Sequence, residues 1–128
     1  MLRQDIRSQR KQLIAANMKL TGAEAEKFWP LYEQYVTELV KINDAKYALI
    51  KEYLQSAQMT EEQADSVSKR WVEVDASVVQ LRLKYIPIFR KTLSAKGTAM
   101  FFQLDRRVQM MIDLQLASSI PLIQPELP

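Results

Sequence analysis

Two apolar stripes with coiled-coil spacing constrain this chain more than any other feature of it. Phe28, Leu31, Tyr35, Leu39, Ile42, Leu49 and Tyr53 follow one another at close to heptad spacing, and Ala64, Val67, Trp71, Val74, Val78, Leu81, Tyr85 and Ile88 do so again further on. A period near 3.5 keeps one face of a helix turned toward a neighbour over many turns. Each stripe opens on a capping box, Thr21 with Glu24 and Thr60 with Gln63, in which hydroxyl and side-chain carbonyl or carboxylate satisfy amides that a helix start leaves unpaired. The reading is two long helices, residues 22–56 and 60–93, joined by a short turn near Gln58 and therefore antiparallel.

Shorter elements flank the hairpin. Leu2, Ile6, Leu13 and Ala16 place an amphipathic helix with a basic outer face at residues 2–18, and Ser94 caps a fourth helix over 95–118 with Phe101, Leu104, Val108, Met111 and Ile112 inward. Residues 119–128 carry three prolines and read as an extended tail. The expected fold is all-α: one domain, residues 1–128, in an elongated four-helix antiparallel arrangement.

KFWPLY at 27–32 and KYIPIF at 84–89 set a proline inside each long helix, where it removes a backbone donor at a cost of about 3 kcal/mol. Folding the hairpin about Gln58 pairs residues whose numbers sum to about 117, which sets Pro30 level with Pro87 and makes them one shared bend. The same folding, with a turn near residue 95, gathers Phe28, Trp29, Tyr32, Tyr85, Phe89, Phe101 and Phe102 at one end with Lys27, Lys84, Arg90, Lys91 and Lys96. Helices of this length run to roughly 50 Å. The far end, around Leu49, Ile50, Tyr53, Leu54 and Val67, is then expected to be a bare apolar tip, an association surface for a homodimer or for another protein.

The net charge of +3 is uneven: residues 1–20 and 80–107 are strongly basic, residues 21–79 net acidic. Basic residues among aromatics raise the possibility of nucleic acid, yet no reader motif is present and the acidic half repels a duplex, so nucleic acid ranks behind protein partners. No cysteine or histidine occurs, which removes disulfides, thiolate and imidazole metal sites, and every cysteine or histidine catalyst. Glu61, Glu62 and Asp65 favour a helix dipole, AKGT at 95–98 lacks the P-loop glycines, and the six methionines read as core filler. The expectation is a non-enzyme with no catalytic residue, no cofactor, no metal and no apolar run long enough to span a membrane.

L-T-x-x-E at Leu20–Glu24 and M-T-E-E-Q at Met59–Gln63, each opening a long helix, resemble the periplasmic LTxxQ proteins of the Spy and CpxP type. Only Thr60 and Gln63 fit that pattern fully: Glu24 stands for its glutamine and Met59 for its leucine. The chain is also similar to uncharacterised secreted bacterial proteins with an LTxxEAxxFWPxYxxY segment and a later YxPxFRKxL. The resemblance implies a dimeric helical hairpin that holds unfolded proteins without ATP on a curved basic face. The corresponding expectation is a periplasmic, chaperone-like protein or envelope stress adaptor whose signal peptide lies outside this sequence, with a structural or partner-specific interaction protein as alternative. Its binding surface is expected at Trp29, Arg82, Lys84, Arg90, Lys91 and Phe102, with the aromatic members exposed between the cations.

Overall fold

In a computed structural model, which describes residues 2–56 and 58–123 and side chains from residue 8 onward, the chain is all-α. Its four helices are α1 (Leu2–Met18), α2 (Gly22–Gln55), α3 (Glu61–Phe89) and α4 (Ala95–Ser119), and no strand occurs among the described residues. The chain divides into two compact units, Leu20–Thr98 and the pair Met1–Lys19 with Ala99–Pro128. Residues 120–123 follow α4 without regular structure, and the rest of the expected tail lies outside the described residues.

The Leu20–Thr98 unit is a hairpin of α2 and α3. Thr21 Oγ1 accepts from the amide of Glu24 at 3.2 Å while the Thr21 amide donates to Glu24 Oε1 at 3.0 Å. Thr60 and Gln63 repeat the exchange at 3.1 and 2.9 Å, so each helix starts where its first free amides find partners. α2 continues through Pro30, whereas α3 stops two residues after Pro87 instead of reaching residue 93. Pro87 has no amide to offer Leu83, and the backbone beyond it tightens into bonds from Lys91 to Ile88 and from Thr92 to Phe89 at 3.2 and 3.0 Å. Pro30 therefore lies well inside its helix and Pro87 two residues from the end of its own.

Cross-hairpin pairs show the antiparallel register. Phe28 meets Phe89, Tyr35 meets Tyr85, Glu38 meets Lys84 and Glu52 meets Arg70. Their numbers sum to 117, 120, 122 and 122, the larger values belonging to the longer side chains. Side chains lean toward the N-terminus of their own helix, so in an antiparallel pair long ones meet at a sum above that of the backbones. Pro30 and Pro87 lie within about one turn of each other along the hairpin.

Phe28, Tyr32, Tyr35, Tyr85 and Phe89 are fully buried, with ring centroids 5.2 to 5.8 Å apart across the Phe28, Phe89, Tyr35 and Tyr85 contacts. Each buried ring of this kind contributes about 1.5–3 kcal/mol. The aromatic cluster of this unit is core, and the inward position at the end of α3 is Phe89 rather than Ile88. Toward the turn, Leu49, Ile50 and Val67 are buried too. The register sets Leu49 and Ile50 opposite Val67, so the helices cover their own seam and the expected bare tip shrinks to Leu54, which is exposed.

Among the described side chains of α1 the buried ones are Arg10, Ile14 and Met18; Leu13 and Ala16, expected inward, are exposed, and the side chains of Leu2 and Ile6 lie outside the described residues. The three lie four residues apart on one stripe that includes a cation, which an apolar count passes over. On α4, Phe101, Leu104, Asp105 and Val108 are buried while Met111, expected inward, is exposed. α1 is followed by Lys19 at φ 51°, a left-handed residue that ends the helix.

Candidate functional site

The six residues expected to form a basic binding surface differ in exposure. Lys84, Arg90 and Lys91 are exposed, Arg82 is half-buried, and Trp29 and Phe102 are half-buried instead of standing clear between cations. Trp29 stacks edge-on against Phe28 and Tyr32 at 5.1 and 5.2 Å, and Phe102 against Phe101 at 5.0 Å, so each indole or phenyl ring is drawn into its local cluster. Phe102 belongs to the second unit, the other five to the first.

Beside Pro30 an open groove of about 530 Å³ is lined by Pro30, Glu33, Gln34, Thr37, Glu38, Lys84, Tyr85 and Ile88. Its floor is a small network. Lys84 Nζ donates to Glu38 Oε1 at 2.7 Å, the Tyr85 hydroxyl donates to Glu38 Oε2, and the ammonium lies 5.7 Å from the Tyr85 ring centre. The hydrogen bonds from Lys84 and Tyr85 hold the Glu38 carboxyl below its ordinary range. Burial, then the bond to Glu38, pushes the Tyr85 hydroxyl up to about 12. A carboxylate held ionised and a phenol held protonated are both moved away from neutrality, where a general acid or base is useful.

The second unit carries a different surface. An open groove of about 300 Å³ runs between Gln9, Arg10 and Leu13 of α1 and Val108, Met111, Ile112 and Gln115 of α4. Arg10 forms part of its wall. Its guanidinium donates to Gln109 Oε1 at 2.5 Å and lies 3.8 Å from Asp105, and Gln109 donates onward to Asp113 at 3.0 Å. Past the groove Met110, Met111 and Leu114 are 66, 59 and 71% exposed, so the adjacent methionines are surface and not core filler. Met110 and Leu114 fall off the stripe set by Phe101, Leu104 and Val108, whereas Met111 continues it and is exposed all the same, so spacing alone did not reveal it. Arg106 and Arg107 are exposed one to two turns earlier on the same helix.

Among the described residues no group of three or more acidic side chains is placed to hold a metal ion, and no helix is long and apolar enough to cross a membrane. Comparisons with protein-family models, with curated proteins and with solved structures find no match. The likeness to LTxxQ proteins therefore stands on the two capped helix starts alone.

Proposed function

We propose that this chain is a non-enzymatic protein that binds other polypeptides, a periplasmic chaperone-like factor or envelope stress adaptor that works without ATP. The observation that carries this reading is the methionine-bearing apolar groove of α1 and α4 with Met110, Met111 and Leu114 solvent-facing beside it. Large apolar side chains concentrated on one exposed surface mark an association site. Methionine is unbranched and polarisable, so it adapts to apolar segments of differing shape. The occupant is an exposed apolar stretch of a non-native polypeptide, preferably flanked by acids because Arg106 and Arg107 lie near. Pro30 and Pro87, close in level on the hairpin, bend it at one place beside the Pro30 groove.

The test is light scattering of an aggregating model substrate at near-stoichiometric ratio without nucleotide. Aggregation is suppressed by the natural protein and less so by Met110→Glu with Met111→Glu, whose exposed positions leave helicity unchanged; no suppression at tenfold excess refutes the reading. The ion-paired, fixed floor of the Pro30 groove favours a second reading, a partner-specific interaction protein. A single partner whose binding is lost on Lys84→Ala, with aggregation unaffected, selects it.

A further inference from the structure

α3 carries a second apolar stripe that its hairpin does not use. Val72, Ala76, Val79, Leu83 and Ile86 follow one another at steps of four, three, four and three, and all face solvent: Val72 is 66%, Val79 53%, Leu83 62% and Ile86 41% exposed. The buried side of the same helix is drawn from Val67, Leu81, Tyr85 and Phe89. Steps of this kind sustained over two heptads are what a helix presents to another helix, and a strand or small molecule has no use for them. Four large aliphatics in water along one line also carry a solubility cost that a partner helix removes.

We infer that this outer face of α3 is a self-association surface on which the α3 of a second copy lies antiparallel. The charges beside the stripe choose both partner and direction. Asp75 and Arg82 flank it on one side, Glu73 and Gln80 on the other. In a parallel pair the flanking contacts run from one residue to the position five further along its partner, which offers Asp75 only Gln80 and offers Arg82 only Pro87. An antiparallel pair about a two-fold axis between Ser77 and Val78 sets Val72 across from Leu83 and Ala76 across from Val79, each twice. Flanking contacts in such a pair join positions two off that level, so Asp75 lies beside Arg82 of the other copy, twice, and Glu73 beside Gln80. Val72, Ala76, Val79 and Leu83 are therefore complementary to themselves in apolar layers and in flanking charge, with Ile86 falling across from the stem of Lys69. Lys84, Tyr85 and Ile88, which line the Pro30 groove, lie off this stripe, so pairing leaves that groove open. The surface also replaces the hairpin tip, where Leu49, Ile50 and Val67 are already covered.

Sedimentation velocity over a concentration series of the full chain tests the inference. The natural protein shows a monomer–dimer equilibrium, and Leu83→Glu shifts it to monomer at least tenfold in Kd with helical content unchanged. Asp75→Arg weakens association by placing like charges together, and Asp75→Arg combined with Arg82→Asp restores it, because the swap regenerates both pairs. A cysteine introduced at Lys69 and spin-labelled reads direction: copies about 26 Å apart along the axis if antiparallel, about 10 Å if parallel. A monomer up to about 1 mM, the weak limit of specific association, overturns the inference, as does a dimer indifferent to Leu83→Glu or labels at the shorter distance. A dimer that the charge swap fails to restore refutes the pairing of Asp75 with Arg82.

Discussion

Replacing Asp105 by leucine strands a cation. Asp105 is 1% exposed and Arg10 5%, so neither charge has water to fall back on, and their closest approach is 3.8 Å. At an effective dielectric near 20 that separation is an attraction of about 4 kcal/mol. Removing one member of a buried pair typically destabilises by about 3–5 kcal/mol, since the survivor stays desolvated and loses its counter-charge. Gln109 remains as an acceptor for Arg10 and recovers part of this. The expected loss for Asp105→Leu is therefore about 3 kcal/mol, with Arg10→Met similar. The double variant, Arg10→Met with Asp105→Leu, is expected within about 1 kcal/mol of the natural protein or above it, because well-packed apolar replacements of buried ion pairs are often neutral or stabilising. Urea unfolding followed by far-UV circular dichroism reads the sum of both units. Tryptophan fluorescence reads only Leu20–Thr98, where Trp29 and Trp71 both lie. A shift of about 1–2 M in the dichroism midpoint is expected for Asp105→Leu, taking a slope of about 2 kcal/mol/M. A single-variant loss under about 1 kcal/mol, or a double variant as costly as the singles added, refutes the claim that the pair is dry and coupled.

Four further changes probe the Tyr85–Glu38 network, the end of α1 and a buried hydroxyl. Tyr85 is held protonated up to about 12 against an ordinary 10.0, so its contribution is whole below about pH 10 and is lost as pH rises through about 12; the difference in tyrosinate absorbance between the natural protein and Tyr85→Phe should show a late-titrating group. Glu38 runs the opposite way. Its folded carboxyl is lowered, so its contribution is present above the ordinary carboxylate range and lost on acidification through the lowered value, and Glu38→Gln should flatten that part of an acid stability profile. Lys19 holds φ 51°, where a side chain costs about 1 kcal/mol that glycine avoids, so Lys19→Gly should raise the thermal midpoint. Thr98 is buried with a hydroxyl that finds no partner, and Thr98→Val, of the same shape, should stabilise by about 1 kcal/mol in the same urea assay.

Helix starts were legible because a cap is a local bargain: four residues decide Thr21 with Glu24 and Thr60 with Gln63, whatever surrounds them. The hairpin was legible because two stripes of equal period joined by a short turn have few other ways to be buried. Ends and faces were less so. Where α3 stops depends on what the backbone does after Pro87 loses its amide, and the resulting turn of tighter bonds leaves no mark in the composition. On α1, Leu13 and Ala16 were expected inward where Arg10 is buried instead, because the burial of a cation is bearable only through Asp105 and Gln109, about a hundred residues away in sequence. Trp29 and Phe102 were expected at the surface for a related reason: a ring beside a lysine looks available until its aromatic neighbours claim it.

α3 shows why periodicity alone cannot assign a surface. Its sequence holds two apolar stripes of the same kind, Val67 through Leu81, Tyr85 and Phe89 on one side and Val72 through Val79, Leu83 and Ile86 on the other. Each satisfies the rule that a helix hides one face. The hairpin partner chooses between them, because α2 offers Phe28, Tyr32 and Tyr35, and rings fill the space opposite Tyr85 and Phe89 better than the smaller Val79 and Leu83 would. The side left over is no accident of poor packing: a helix that needed only one apolar face would carry polar residues at Val72, Val79, Leu83 and Ile86, as α2 does at Glu26, Thr37, Lys41 and Lys51 on its exposed side. An amphipathic helix has one partner, and a helix apolar on two sides asks for two. The hairpin supplies the first, and the proposed pairing of Asp75 with Arg82 offers a second copy of α3 for the other.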